Sequence, residues 1–407
     1  MQNHPSTRIF SSYSNRLEGK TILLGITGSV ASFLSPKIAR ELIRHGAKVI
    51  PVMSEDGAKM IGKDLMWWAT GQEPITKITG RLEHIALAGV MNNPVDLMLI
   101  APCTTNTVAK LHSGIADTPV TLIASSLNGK NIPISILCVA HEDLINSPPI
   151  QEGIEKLKTW GIHSIDPVLE EGKAKAPSVE DIMFEVFILL TPKKLRDRTV
   201  IITGGPTREY IDNVRYITNS SSGRTGIEFA KEAYLSGANV SLVLGPTHLP
   251  VPRNIPTSTV ETSEEMYEKV ISLLKQTPDA IVILSAAMAD FKPKNINIGK
   301  IKSGNDLNIH LIPTVKLSDH IKNEYPNSTL VLFKAEWDVG IDVLKERAIE
   351  KLNKCKGDLI IANDLSQPGA GFQTITNSVL IIDSNHNAVD LTSTKNQLAQ
   401  VIIDKIS

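Results

Sequence analysis

Short apolar runs of strand length recur at Thr21–Ile26, Ala47–Met53, Val95–Ala101 and Ile132–Val139, and the intervening stretches Ser35–His45 and Thr105–His112 carry helical periodicity. Strands separated by helices pair in parallel through right-handed crossovers, so this rhythm defines an α/β fold. Helix Ser35–His45 is fully spelled out: Ser35 caps it, Pro36 takes the first helical position, Ile38, Leu42 and Ile43 share one face, and Gly46 ends it. After the helical stretch Asp181–Leu190 the polar segment Thr191–Asp197 breaks the rhythm, and strand Thr199–Thr203 opens a second alternation. That alternation continues through helix Gly226–Ser236, strand Val240–Leu244, helix Ser263–Lys275, strand Ala280–Leu284, helix Val339–Leu352 and strand Asp358–Ala362. A chain of 407 residues exceeds what one core supports. The expectation is two doubly wound α/β domains, 1–190 and 191–407. Gly245–Thr259 and Phe291–Leu307 lack periodicity and read as loops.

Lys+Arg (42) and Asp+Glu (43) nearly cancel, which excludes a global field drawing the chain to nucleic acid or an anionic membrane. Any phosphate site must therefore be local. The three cysteines, Cys103, Cys138 and Cys355, have neither disulfide nor zinc spacing and fit a reducing cytoplasm. No apolar run approaches the roughly 20 residues that span a bilayer, and the N-terminus is polar. The expected location is cytoplasmic, with no membrane partner.

In the first half, strand Thr21–Ile26 runs into a turn containing Gly28 and Ser29, where a glycine admits close backbone approach and the following N–H groups face an anion. A dinucleotide unit needs an acidic residue at the end of its second strand to hold a ribose, but here that strand ends in Met53-Ser54. A hydroxyl suits a phosphate monoester better. Strand Val95–Ala101 leads into Thr104, Asn106 and Thr107, a cluster of hydroxyls and an amide where ligands bind in open α/β sheets.

The run from Ala101 to Asp117, with the Gly25–Ala31 turn upstream, resembles the FMN-binding core of the homo-oligomeric flavin-containing cysteine decarboxylases. The resemblance implies FMN held by Gly28, Ser29, Ser54, Thr104, Asn106 and Thr107, and it gives His84, in Leu82-Glu-His84-Ile, the acid/base role of the phosphopantothenoylcysteine decarboxylases. A histidine exchanges protons near neutrality, as that chemistry requires. Two departures stand out. His141 occupies the position of the family's substrate-orienting asparagine, and the flap region Glu170–Pro177 contains lysines but no cysteine. These departures leave open an alternative in which the flavin domain binds FMN but is catalytically silent. A reading of both halves as NAD(P)-binding units is opposed by the missing ribose acid.

In the second half, strand Thr199–Thr203 ends in Gly204-Gly205, followed by Arg208, Arg215, Asn219, Ser222, Gly223 and Arg224 before helix Gly226–Ser236. Glycines, serines and arginines ahead of a helix suit phosphate. The spacing is not that of a P-loop. This block resembles the phosphopantothenate–cysteine ligases, as do Ser285–Pro293, Lys300-Ile-Lys302, and Asp358–Asp364 with Gly369–Phe372. Together the two halves resemble the bifunctional decarboxylase/ligase family of coenzyme A biosynthesis.

The resemblance implies a sequence of two reactions. 4′-Phosphopantothenate, L-cysteine and CTP give 4′-phosphopantothenoylcysteine through an acyl-cytidylate, and FMN-dependent decarboxylation then gives 4′-phosphopantetheine. It assigns Asn219 to the acyl-nucleotide, Lys300 to the later half of the ligation, and Arg215, Ser222, Gly223, Asp290, Phe333 and Lys351 to substrate or nucleotide. A further expected lysine falls on Cys355, between Lys354 and Lys356. Mg2+ is implied through the nucleotide phosphates. A homo-oligomer is implied too, with trimeric flavin domains and dimeric ligase domains in a dodecamer.

Overall fold

The computed structural model describes residues 4–90, 93–304, 306–367 and 376–407. The chain divides into two compact units, Met1–Thr191 and Pro192–Ser407. In the first, strands Lys48–Met53, Thr21–Ile26, Leu97–Cys103, Ile134–Cys138 and His163–Ser164 lie side by side in that order, all parallel. This is the flavodoxin-like order, with its switch point between Thr21–Ile26 and Leu97–Cys103. The apolar runs are continuous because both faces are covered. Ile22, Leu24 and Ile26 enter one core with Ile38, Leu42 and Ile182, whereas Leu23 enters the opposite core with Val108, Ile123 and Leu157. Each such side chain contributes about 1.5–3 kcal/mol on burial.

The helix after the first strand differs from the sequence expectation at its start. A short 3₁₀ turn, Val30–Leu34, precedes the α-helix Ser35–Arg44, and Ser29 caps that turn. Ser35 does not cap; its hydroxyl donates to the Ala101 carbonyl at 3.1 Å, tying the helix to the neighbouring strand. At the other end His45 is half-buried, with Nδ1 2.7 Å from Ser14 Oγ and its ring edge-on to Phe187. Burial, reinforced by Arg16 and Arg44, lowers its pKa from 6.5 to about 4. The unfolded chain therefore takes up this proton before the folded domain does, so stability declines as pH falls from about 6.5 through about 4. Thermal melts across that window should show the decline, and His45→Gln should flatten it; an identical slope in the variant would contradict the assignment.

In the second unit the strand order is Thr257–Thr259, Asn239–Leu244, Thr199–Gly204, Ile281–Leu284, Thr329–Glu336, Leu359–Asp364, Thr376–Asp383, Ala388–Thr394. The first six are parallel and follow Rossmann order, with a switch point between Thr199–Gly204 and Ile281–Leu284. The last two are antiparallel, so Asn377 and Thr394 lie at the carboxyl edge of the parallel strands. Both expected loops contain strand: Thr257–Thr259 forms the sheet edge, and Phe291–Pro293 pairs with Leu311–Pro313. Helix Arg224–Leu235 packs beside helix Lys395–Ile406. Its approach to the sheet is so close that a Cβ on Gly226 would stand 2.6 Å from Gly204 Cα. Gly223, the residue before this helix, has φ +81°, a conformation that favours glycine.

Candidate active sites

In the N-terminal unit three strand ends converge. Thr27 Oγ1 donates to the Pro102 carbonyl at 2.9 Å and accepts from Thr104 N at 3.0 Å, while Ser54 N donates to the Ile26 carbonyl. Ser29, Ser54 and Thr104 are all N-cap residues, their oxygens accepting from Ala31 N, Gly57 N and Thr107 N respectively. A capping hydroxyl accepts with its oxygen and retains a hydrogen to donate. In the Thr104–Thr107 hydroxyl pair, 2.9 Å apart, one hydrogen is spent internally and one remains. Gly28 packs against Asp56, where a Cβ would come within 2.5 Å of Asp56 Cβ. Asn106 is exposed on the first turn of helix Thr105–Ser113. These hydroxyls and helix-start N–H groups at the switch point form a donor set suited to a phosphate.

His84 lies in the short helix Glu83–Leu87, which packs on helix Pro119–Asn128. Thr79 N and Oγ1 donate to the Glu83 carboxylate, fixing the helix start. His84 Nδ1 is buried without a hydrogen-bond partner among the described residues. A buried, unpaired ring nitrogen calls for a ligand.

The flap is a hairpin, Val168–Glu170 with Lys173–Lys175, and Lys173 pairs with His141 of strand Ala140–His141. The structure thus brings the two departures from the family pattern together. Lys175 is neutralised by Glu171 at 2.6 Å and Glu170 at 3.1 Å. Cys103 and Cys138 pair in register on adjacent strands, both buried. Burial pushes both thiols up, Cys138 to about 11.

In the C-terminal unit the carboxyl edge opens into a cleft of about 850 Å³. Asn219, Ser222, Gly223, Asp290, Phe333 and Lys351 all line it. Asn219 Nδ2 donates to the Ala287 and Met288 carbonyls, both at 3.1 Å, joining the glycine-rich turn to the Ser285–Asp290 segment. That segment is laced to the first strand, with Ser285 Oγ donating to the Thr203 carbonyl and Ala289 N to Thr207 Oγ1. Phe333 stands edge-on to Phe229, and Lys351 Nζ donates to the Phe333 carbonyl at 2.8 Å. Burial lowers the Lys351 pKa.

The three arginines of the glycine-rich block have separate fates. Arg224 lines the cleft. Arg208 stacks over Tyr216, with Glu261 at 3.5 Å. Arg215 is held by Asp212 at 3.4 Å and the Ile301 carbonyl at 3.2 Å. Buried Asp212 also accepts from Val214, Arg215 and Ile301 backbone N–H groups, clipping the exposed Lys300 loop beside Arg215 and outside the cleft lining. Glu209 is structural: buried, it accepts from Ser263 N and Oγ at the start of helix Ser263–Gln276. At the uncertain lysine position, Cys355 and Lys354 both line the cleft, whereas Lys356 donates to Asn323. Gly369–Phe372 lies outside the described residues. Sequence reasoning missed Asn377 and Lys395, which line the cleft from the antiparallel extension and the last helix. Among the described residues no three His, Cys, Asp or Glu side chains gather as a metal site, and no helix is long and apolar enough to cross a membrane.

A flavodoxin-ordered domain with a phosphate-suited edge, joined to a Rossmann-ordered domain with a glycine-rich cleft, defines a two-domain nucleotide- and flavin-type enzyme. Residues 10–190 match the family model described as Flavoprotein, and residues 195–407 match the DNA/pantothenate metabolism flavoprotein C-terminal domain. The chain is 41% identical over 405 residues to the coenzyme A biosynthesis bifunctional protein CoaBC of Thermococcus kodakarensis, covering 99% of this chain and 98% of that one. It is 36% identical over 406 residues to the protein of the same name from Methanocaldococcus jannaschii, covering 99% and 97%. A solved C-terminal domain of a coenzyme A biosynthesis bifunctional protein CoaBC is 32% identical, with a TM-score of 0.44, covering 53% of this chain and 96% of that one. The chain belongs to this family of bifunctional coenzyme A biosynthesis proteins and is an enzyme with a decarboxylase domain and a phosphopantothenate–cysteine ligase domain.

Proposed function

We propose that the C-terminal domain joins 4′-phosphopantothenate to L-cysteine at the expense of CTP, through an acyl-cytidylate, and that the N-terminal domain decarboxylates the product to 4′-phosphopantetheine with FMN. The observation that carries this reading is the convergence of Asn219, Asp290, Phe333 and Lys351 on one cleft beside the N-terminus of helix Arg224–Leu235. Activating a carboxylate on the α-phosphate is a problem of charge stabilisation, and helix-start N–H groups with Arg224 and Lys351 supply it. Asn219 sits between the glycine-rich turn and Ser285–Asp290, where exchanging its two carbonyl partners for the acyl-phosphate oxygens would stabilise the intermediate. Mg2+ would arrive on the nucleotide phosphates. Lys300 and Arg215, the Lys300 loop being held beside Arg215 through Ile301 and Asp212, would serve a later step or a neighbouring subunit in a homo-oligomer.

In the decarboxylase domain Ser29, Ser54, Thr104 and Thr107 would hold the FMN phosphate, with Gly28 and Asn106 beside it. FMN supplies two-electron oxidation of the cysteinyl side chain. His84 would move the proton, and His141 would orient the substrate carboxylate beneath the flap. A second reading, a flavin-binding but silent domain, is favoured by the flap itself: among its described residues it presents lysines and glutamates but no thiol.

Anaerobic incubation of the purified chain with 4′-phosphopantothenate, cysteine, magnesium and either CTP or ATP separates these readings by mass spectrometry. The proposal predicts 4′-phosphopantetheine, formed faster with CTP. Accumulation of 4′-phosphopantothenoylcysteine alone supports the silent domain, and no product with either nucleotide contradicts the proposal.

A further inference from the structure

We propose that Asn377 reads the base of the nucleotide: its side-chain carbonyl oxygen accepts from the exocyclic amino group of cytosine and turns away a base with an oxo group at the same place. The inference deepens the ligase reading above and rests on it. Asn377 is the second residue of strand Thr376–Asp383 and lines the cleft. It is only 7% exposed, and its Oδ1 is buried without a partner among the described residues. An amide oxygen in that state requires an N–H or O–H donor, because left unpaired it forfeits the hydrogen bonds it made to water.

The order of the strands narrows the donor. The glycine-rich strand Thr199–Gly204 stands at one end of the row that forms the cleft, the Phe333 strand Thr329–Glu336 two places along, and the Asn377 strand two places further. At about 4.8 Å per strand the row spans about 19 Å. The phosphates would lie at the first end, on the helix that Arg224 opens, and the acyl-phosphate beside Asn219, which bonds to Ala287 and Met288. The carboxylate of 4′-phosphopantothenate and the amine of cysteine must both meet there. The nucleoside runs the other way, toward Phe333, whose ring is edge-on to Phe229 and offers a base a flat neighbour. In cytosine the amino group stands on the ring atom across from the ribose, the point farthest from the phosphates. Uracil carries an oxo group there, which would set two acceptors face to face. Asn377 is uncharged, as suits a neutral base edge in a buried position. Adenine and hypoxanthine differ by the same exchange of amino for oxo, so this oxygen sorts purines by the same rule.

The test measures kcat/KM for ligation of 4′-phosphopantothenate with L-cysteine by the full chain, with CTP against UTP, ATP against inosine triphosphate, and the 2′- and 3′-deoxy forms of the preferred nucleotide. In whichever pair it uses, the parent is expected to prefer the amino base by about tenfold or more, and Asn377→Ala to bring the two within about threefold while the KM for L-cysteine is unchanged. Asn377→Thr, whose hydroxyl both donates and accepts, should relax the preference in the same way and serves if the alanine variant fails to fold. Asn377→Asp, which can only accept, should keep it. Equal use of amino and oxo bases by the parent, or a preference that survives in the alanine and threonine variants, would overturn the assignment. So would a loss confined to the preference for the nucleotide over its deoxy forms, which would move Asn377 to the ribose, or a rise in the KM for cysteine with the base preference intact. Absence of ligated product from the parent with both CTP and ATP would instead remove the ligase reading, and the base-reading role with it.

Discussion

His84→Ala will lower decarboxylation of 4′-phosphopantothenoylcysteine by about 10²–10⁴-fold while ligation continues, so that this intermediate accumulates. The magnitude is that of one positioned acid/base group. The argument is local: His84 sits on a short helix pinned by Thr79 and Glu83, and its Nδ1 is buried with no partner among the described residues, poised for a group on the substrate. His84→Asn keeps a polar side chain of similar reach but cannot shuttle a proton, and it should fail as completely. Flavin absorbance of the variants checks that the domain still folds. Decarboxylation within a few-fold of the parent in both variants, with flavin bound, would remove His84 from the chemistry. Restoration by asparagine alone would reduce it to a hydrogen-bonding role.

Asn219→Ala produces the complementary phenotype. Ligation should fall about 10²–10³-fold, the usual loss on deleting one donor to developing charge, while supplied 4′-phosphopantothenoylcysteine is still decarboxylated. Asn219 is exposed to the cleft, and among the described residues its side chain is held by two carbonyls of the opposite segment, Ala287 and Met288, so its removal takes little from the core. A carboxylate at this position would repel substrate phosphates, and Asn219→Asp should be at least as damaging. Pyrophosphate release and product mass spectra read both variants. Ligation within tenfold of the parent would show that the cleft activates the carboxylate without this amide.

Much of the fold is legible in the sequence because parallel strands covered on both faces must be apolar throughout. Thr21–Ile26 and Thr199–Gly204 therefore stand out without any knowledge of their neighbours. The antiparallel extension is less visible: Ala388–Thr394 is largely exposed and rich in Thr, Ser and Asp, so its partner across the ladder, not its own composition, makes it a strand. Ser35 has the right chemistry for a cap, yet a preceding 3₁₀ turn takes the helix start and frees its hydroxyl for Ala101.

The cleft residues Asn219, Asp290, Phe333 and Lys351 could be found from motifs, although Phe333 sits within strand Thr329–Glu336 and Lys351 in the last turn of helix Ile341–Lys354. Arg208, Glu209 and Asp212 share the same glycine-rich block but serve as clips and caps; residue type alone does not separate a phosphate ligand from a buried helix anchor. Asn377 and Lys395 carry no local spacing signal at all. Only the ladder register between Thr376 and Thr394 places them on the same edge as residues near 220. The capping box at Thr394 marks a helix start without revealing what that start faces.

The most direct test follows the cysteine carboxylate carbon through both domains. With L-cysteine labelled by ¹³C at that carbon, 4′-phosphopantothenate, CTP and magnesium under anaerobic conditions, the account predicts labelled 4′-phosphopantothenoylcysteine first, then unlabelled 4′-phosphopantetheine with the label released as carbon dioxide. Label that stays in the ligated product would contradict the decarboxylase half, and cysteine that never joins 4′-phosphopantothenate with CTP or ATP would contradict the account as a whole.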